Sequence, residues 1–237
     1  MIKNCEFLGI ITARGGSKRI PGKNLKVIYN KPLIDWTISA AIESKYLNDL
    51  YLSTDSPQIM DSVTSRFTLS AFGLRAATLA SDSASSVDVV LDVLQQYEER
   101  GVQIGNIVLL QPTSPLRDAN DIDHAIKIFM ENEITAVQAY SPAECPPQWI
   151  FQIDTNGTPV GLGANKIKQS QESGEPYRIN GAIYIISAAD FRRLKTFTPD
   201  NSLAYKMPRS RGIDIDEELD FQIAEFLLKK RYENSVF

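Results

Sequence analysis

Apolar positions along the chain arrive in two rhythms. Short continuous runs come first: Phe7–Ala13 (FLGIITA), Leu50–Thr54 (LYLST), Ile107–Leu110 (IVLL), Ile134–Tyr140 (ITAVQAY) and Gly181–Ser187 (GAIYIIS). Such runs read as buried strands. Between them apolar residues recur at helical spacing. Pro32 suits a first helical turn, and Leu33, Ile34, Thr37, Ile38, Ala41 and Ile42 follow it. A second helix starts at Ser56-Pro57. Ser85 to Asp88 forms a capping-box pattern, with Val87, Val90, Leu91 and Leu94 on one face and Gly101 as the stop. Ile122, Ile126, Phe129 and Met130 mark a fourth helix, and Leu219, Ile223, Phe226 and Leu227 mark a last one over Glu217–Lys230. Continuous apolar strands alternating with helices predict an α/β fold: a doubly wound, mostly parallel sheet with helices on both faces. Ligands in such folds collect beyond the carboxyl ends of the strands.

The rhythm breaks after Ser141. Residues Ser141–Pro147 hold three prolines, and Trp149–Asp154 with the turn Thr155-Asn156-Gly157 reads as half a hairpin. Gly161–Pro176 is polar and aperiodic. The stretch is long for a plain loop, so it serves function or assembly. The expected division is a core of residues 1–140 and 179–237 with an inserted excursion at 141–178. Gly212–Asp216 (GIDID) reads as a last short strand.

Composition narrows the chemistry. The chain has 237 residues, enough for one large domain or one with a small appendage. Lys and Arg total 25 against 29 Asp and Glu, a formal charge of −4, which argues against a nucleic-acid partner. Cys5 and Cys145 show no motif spacing, so neither a disulfide framework nor a cysteine zinc site is expected, and a reducing cytoplasm suits them. His124 is the single histidine and falls in a helical pattern, so it reads as structural and chemistry based on histidine is nearly excluded. The Met1–Gly9 segment is expected to be neither a signal peptide nor a membrane span. Trp36 and Trp149 read as packing residues.

Two segments carry candidate chemistry. After the first strand comes Ala13-Arg14-Gly15-Gly16-Ser17-Lys18-Arg19-Ile20-Pro21-Gly22-Lys23-Asn24. Its glycines allow close backbone approach to an anion. Arg14, Lys18, Arg19, Lys23 and Lys26 concentrate five positive charges, which suits a triphosphate. The loop is neither a Walker A loop nor a dinucleotide fingerprint: five residues separate Gly16 from Gly22, and Asn24 stands where Ser or Thr would bind magnesium. Read alone, it is also compatible with a solvated basic turn. Near the other end, Asp214 and Asp216 flank Ile215; in extended chain, residues i and i+2 share a face. Two such carboxylates suit Mg2+, which completes its octahedron with waters and phosphates, or an exposed turn. Lesser candidates are Arg75, the Gln111-Pro112-Thr113-Ser114-Pro115-Leu116-Arg117 turn, in which Gln111, Thr113 and Ser114 can face a ligand, and Arg178 with Asn180.

Taken in order, these segments resemble the CMP-sialic acid synthetases (acylneuraminate cytidylyltransferases). The loop Ala13–Asn24 is similar to that family's signature. LASDSASS (Leu79–Ser86), LLQPTSPLR (Leu109–Arg117), RINGAIY (Arg178–Tyr184) and IDIDEELD (Ile213–Asp220) are similar to further blocks. The resemblance implies a Rossmann-like nucleotidyltransferase fold with a small dimerisation excursion. It implies transfer of CMP from CTP to the anomeric hydroxyl of a nine-carbon keto-sugar acid, with Mg2+ or Mn2+ and loss of pyrophosphate. Arg14 and Lys23 would hold the triphosphate, helped by Ala13, Gly15, Gly16, Ser17 and Lys18. Asn24, Arg75 and Ser86 would face the cytidine half. Gln111, Thr113, Ser114, Arg178 and Asn180 would face the sugar. Asp214 and Asp216 would hold the metal, Asp214 mainly as ligand and Asp216 as proton acceptor. Relatives usually carry an Arg-Gln pair before the segment matching Tyr177-Arg178. Here Lys166-Ile167-Lys168-Gln169 stands there. Lys168 is the substitute expected, offering a point charge and not a fork, which opens the substrate to legionaminic-type acids. A cytoplasmic homodimer with no membrane attachment completes the expectation. The competing readings are a CMP-Kdo synthetase and a protein that binds nucleotide without turnover.

Overall fold

The computed structural model describes residues 3–81, 84–161 and 175–233. The first apolar run forms β1 (Lys3–Thr12), and the glycine loop follows it. A small hairpin of β2 (Val27–Ile28) and β3 (Lys31–Pro32) then turns through Tyr29 at φ 62. Helix α1 (Leu33–Ile42) has Pro32 at its N-cap. Next come β4 (Asp49–Ser53) and α2 (Pro57–Thr64), the latter capped by Ser56, whose hydroxyl accepts from the Ile59 N–H at 3.3 Å. Helix α3 (Ser86–Glu99) starts at the expected box: the Ser85 hydroxyl accepts from the Asp88 N–H at 3.1 Å. Strand β5 (Val102–Leu109) and helix α4 (Ala119–Glu131) follow; Asp118 and Asp121 cap α4 reciprocally. After β6 (Ala136–Pro142), β7 (Phe151–Ile153) and β8 (Pro159–Gly161) form the hairpin of which the sequence showed half. The chain closes with β9 (Tyr177–Ser187), α5 (Ala188–Leu194), β10 (Ser202–Lys206) and α6 (Glu218–Glu233).

Six strands share one sheet in the order β10-β6-β9-β5-β1-β4. β1 runs parallel to β4 and β5, and β10 parallel to β6, while β9 is antiparallel to both its neighbours. The reversal has a simple cause. β4, β5 and β6 are each reached through helices that return the chain to the same edge, so they run with β1, whereas β10 follows α5 and runs against β9. The residues between β6 and β9 instead leave and re-enter at one end, where Pro142 pairs with Tyr177 and Ser141 with Arg178. Ser141–Arg178 is thus the loop of a wide hairpin, with both ends inside the sheet.

The sheet is covered on both faces. Phe7, Ile11, Val108, Val137 and Ile185 point to α1, α2 and α4. Leu8, Ile10, Ile107, Leu109 and Ile186 point to α3 and α5. A third cluster joins Ile20, Ile28, Leu33, Trp36, Leu116 and Ile215 to α6.

Three expectations are corrected. Gly212–Asp216 is not a strand; Gly212 N–H turns back to Pro208 O at 3.2 Å, and Ile215 N–H bonds Thr113 O at 2.8 Å. The apolar face expected of α6 is the wrong one: Leu219 and Phe226 are 64% exposed and Ile223 40%, whereas Phe221, Ala224 and Leu228 are buried. The helix is apolar on two sides; the buried side packs on Ile28, Leu33, Trp36 and Leu116, and at its first turn Lys26 binds Glu218 at 2.7 Å and lies over the Phe221 ring. Trp149 is half exposed, unlike the buried Trp36. His124 lies on the exposed side of α4.

Candidate active site

The glycine loop leaves the carboxyl end of β1 and folds back on itself. Its backbone is braced by Asn24, a buried residue whose side-chain amide donates to Arg14 O at 3.0 Å. Gly15 cannot be larger: a Cβ there would stand 2.9 Å from the Ser56 Cβ, and its N–H donates to Asp55 Oδ1 at 3.0 Å. Gly22, at φ 65, opens the tight turn Lys23–Leu25. Lys23 is thereby aimed inward. Its ammonium donates to Ile215 O at 2.6 Å, and Asp216 Oδ1 lies 4.0 Å away. Burial lowers the Lys23 pKa, with the carboxylates of Asp216 and Asp214 acting against it.

The loop thus meets the aspartate pair across one cleft of about 350 Å3, walled by Thr12, Arg14, Ser17, Lys18, Arg19, Lys23, Asn24, Gln111, Thr113 and Asp216. Asp216 is ion-paired to Arg19 at 3.0 Å. Asp214 is more enclosed. Burial pushes its carboxyl pKa up, the Thr113 hydrogen bond opposes this, and Asp216 adds to it. Its Oδ1 is buried with no hydrogen-bond partner.

A second lobe of about 330 Å3 shares Thr12 and Arg14 with the first and is walled by Arg75, Leu79, Ala80, Ser81, Ala84, Ser86 and Val89. Arg75 is buried; it bonds Thr54 O through its N–H at 2.7 Å and Asp55 Oδ1 through Nη2 at 3.4 Å, while its Nε has no partner. Burial lowers the Arg75 pKa, and Asp55 opposes this.

The sequence-derived residues sort into three groups. Arg14, Ser17, Lys18, Lys23, Asn24, Gln111, Thr113 and Asp216 line the first lobe, and Arg75 and Ser86 the second. Ala13, Ser114 and Asn180 are buried. The Asn180 amide is already engaged, accepting from Ala182 N–H at 3.1 Å and donating to Met207 Sδ at 3.4 Å. Arg178 pairs with Glu144 at 3.3 Å and stands near enough to lower the Asp214 pKa. Gly16 is exposed in the loop. Lys168 lies outside the described residues.

Sequence reasoning gave no site role to Thr12, Asp55 or Gly181, and it placed Arg19 only among the loop cations, not against Asp216. Asp55 had a usable signal, since it follows the carboxyl end of a strand. Gly181 had another: a glycine inside a strand marks a bulge or a close approach.

A divalent cation fits the aspartate pair. The orphaned Asp214 Oδ1 needs a positive partner, and Asp216 borders the same cleft. Among the described residues no group of three or more Asp, Glu, His or Cys side chains gathers as a closed metal cage. Two carboxylates with the remaining positions left to water and phosphate is how Mg2+ is commonly held.

Comparison with known proteins shows the family and the fold. The family profile described as Cytidylyltransferase matches residues 8–196. A CMP-N,N'-diacetyllegionaminic acid synthase of Legionella pneumophila is 35% identical over 96% of this chain and 98% of its own length. A pseudaminic acid cytidylyltransferase of Campylobacter jejuni is 30% identical over 96% and 98%. An N-acylneuraminate cytidylyltransferase of Escherichia coli is 33% identical over 95% of this chain, which spans 53% of that relative. Among solved structures, a CMP:2-keto-3-deoxy-manno-octonic acid synthetase complexed with CTP superposes with a TM-score of 0.73 over 95% of this chain and 99% of its own. At 16% identity it shows the fold alone.

Proposed function

The chain belongs to the cytidylyltransferase family of the CMP-sialic acid synthetases, and from that premise we propose that it transfers CMP from CTP to the anomeric hydroxyl of a nine-carbon nonulosonic acid. It is a nucleotidyltransferase. One observation carries the reading: Lys23 and Arg19 reach the Ile215–Asp216 segment at 2.6 Å and 3.0 Å, closing a basic triphosphate loop against a carboxylate pair.

The hydroxyl oxygen of the sugar acid attacks the α-phosphorus, the bond from that phosphorus to the bridging oxygen breaks, and pyrophosphate leaves. Such transfer needs positioning and charge neutralisation more than covalent catalysis. Arg14, Lys18 and Lys23 neutralise the triphosphate and the departing pyrophosphate. Arg75 and Ser86, in the second lobe, receive the cytidine. Gln111 and Thr113 stand at the opposite end, beside Asp214, where the acceptor enters. The hydroxyl proton passes to an aspartate carboxylate, directly or through water. Asp214 and Asp216 are the residues that would hold a divalent cation, which when bound would supply further charge neutralisation and make a nearby hydroxyl more acidic.

Legionaminic-type acids are the favoured acceptors, because at equal coverage the Legionella relative is 35% identical and the pseudaminic one 30%. The enzyme works as a homodimer in the cytoplasm. The hairpin β7–β8 supports the dimer, since Phe151, Ile153 and Val160 are all exposed. The two unpaired cysteines support the compartment, and among the described residues no helix is long and apolar enough to cross a membrane.

The test is an end-point reaction with CTP, magnesium and a panel of acids: N-acetylneuraminic, N,N'-diacetyllegionaminic, pseudaminic and Kdo. Pyrophosphate and the mass of the CMP-sugar are read together. Product is expected with a nine-carbon acid, the legionaminic one best. Product with Kdo alone would replace the acceptor by an eight-carbon sugar, and CTP binding without product would defeat the reading.

A further inference from the structure

Gly181 lies inside β9 at φ 76, in the left-handed region that side chains avoid. A Cβ built there would stand 2.5 Å from Gln111 Oε1 and 3.4 Å from Asp214 Oδ2. The ladder slips at this point. Gln138 pairs with Tyr184 but Tyr140 with Ile179, so Asn180–Ile183 bulge opposite Ala139. Bulges re-aim side chains next to active sites. This one is pinned from two sides. Asn180 Oδ1 accepts from the Ala182 N–H at 3.1 Å, closing the bulge on itself. Behind it, the buried guanidinium of Arg117 donates from one nitrogen to both Ala182 O at 2.7 Å and Gln111 O at 3.2 Å, and from another to Thr37 Oγ1 at 2.5 Å. The backbones of Gln111 and of the bulge are therefore held at a fixed separation. The end of the Gln111 side chain occupies the space that a side chain at 181 would take.

We propose that Gly181 is a positioning residue for the acceptor: the absence of its side chain seats the Gln111 amide beside Asp214 and so sets the affinity for the keto-sugar acid. The inference rests on the cytidylyltransferase reading, which puts the nucleoside in the lobe beyond Arg14 and leaves the Gln111 end for the acceptor. The clashing atom is the far end of a flexible side chain. A methyl group at 181 is thus accommodated by swinging Gln111 away while the sheet stays intact. The cost falls on the substrate that Gln111 faces.

A double-mutant cycle separates this from backbone strain. Gly181→Ala, Gln111→Ala and the double variant are assayed for pyrophosphate release while CTP and the acid are varied independently, and unfolding temperatures are recorded. Gly181→Ala is expected to raise KM for the acid about tenfold and to leave KM for CTP within about twofold. Gln111→Ala is expected to do the same, and the double variant to be no worse than Gln111→Ala. Gly181→Asn, which tolerates positive φ better, keeps the KM effect with a smaller loss of unfolding temperature. Multiplying effects in the cycle, an equal rise in both KM values, or an Asn variant with normal KM would each overturn the proposal while the enzyme reading stands. A wild-type protein that releases no pyrophosphate with any nine-carbon acid overturns that reading and this one together.

Discussion

Lys23 shows how much one side chain settles at the residue scale. Its ammonium ends 2.6 Å from Ile215 O and so ties the triphosphate loop to the carboxylate segment. That contact spans 192 positions of sequence, and no local pattern announces it. What the sequence did announce was residue type: glycines where backbone crowds Ser56, cations where anions must be held, and two carboxylates one residue apart. It was silent on which polar residues the fold would consume. Asn24 and Asn180 both have side-chain amides spent on internal hydrogen bonds. Cys5 makes the same point about reactivity. Burial, with the Asp49 charge adding to it, pushes its thiol up to about 11. A raised value means less thiolate at any given pH, so at pH 8 the folded protein should be alkylated by iodoacetamide at Cys145 and spared at Cys5. Both should react in guanidinium chloride. Peptide mass spectrometry reads the outcome, and equal labelling of the two in the native protein would contradict it.

At the scale of elements, α4 and α6 are fastened by one carboxylate. Asp118 caps α4 through the Asp121 N–H at 3.0 Å and receives Arg231 Nη2 from α6 at 2.5 Å. Burial works to raise the Asp118 pKa, but the Asp121 hydrogen bond and the Arg231 guanidinium outweigh it and leave the value lowered. A lowered carboxyl contributes stability above its unfolded value of about 4 and loses it as pH falls through the folded value. Asp118→Ala should therefore cost about 1–2 kcal/mol at pH 7. The gap from wild type should narrow towards pH 3, as followed by urea unfolding at both pH values; a gap that is flat with pH would exclude the ionic contribution. Elements were legible where their own residues decide them. Apolar runs and caps placed β4, β6, α2 and α3 within a few residues and the carboxyl ends of β1 and β5 within one, while both of those strands begin four or five residues earlier than their apolar runs. Strand direction was not legible for β9, because it depends on the path of the chain outside the strand. Nor was the buried face of α6, whose apolar residues lie on two sides and whose partners, Ile28, Leu33 and Trp36, come from the other end of the chain.

For the whole molecule, the exposed apolar hairpin is the outstanding feature beyond the cleft. Trp149, Ile150, Phe151, Ile153 and Val160 lie on or beside one hairpin, and each is at least 44% exposed; Phe151 and Ile153 share a face, and Val160, paired with Gln152, lies on the other. Exposed apolar residues so concentrated mark an association site. Light scattering on the intact protein should give twice the chain mass, and the Phe151→Glu, Ile153→Lys double variant should give the chain mass alone. A monomeric wild type would remove the dimer from the reading. The sheet itself was foreseen from alternation of strand and helix; the joining of its two ends was not. The loop at residues 13–26 is clasped by Ile215 and Glu218, and the hairpin behind it by Glu225, whose carboxylate accepts from the Tyr29 N–H at 2.9 Å. A ribosome delivers the loop long before its clasp. A nascent chain can therefore display the entire signature loop and still lack a site until residues 215–225 have been made, so a product that stops short of them is expected to leave CTP unconsumed.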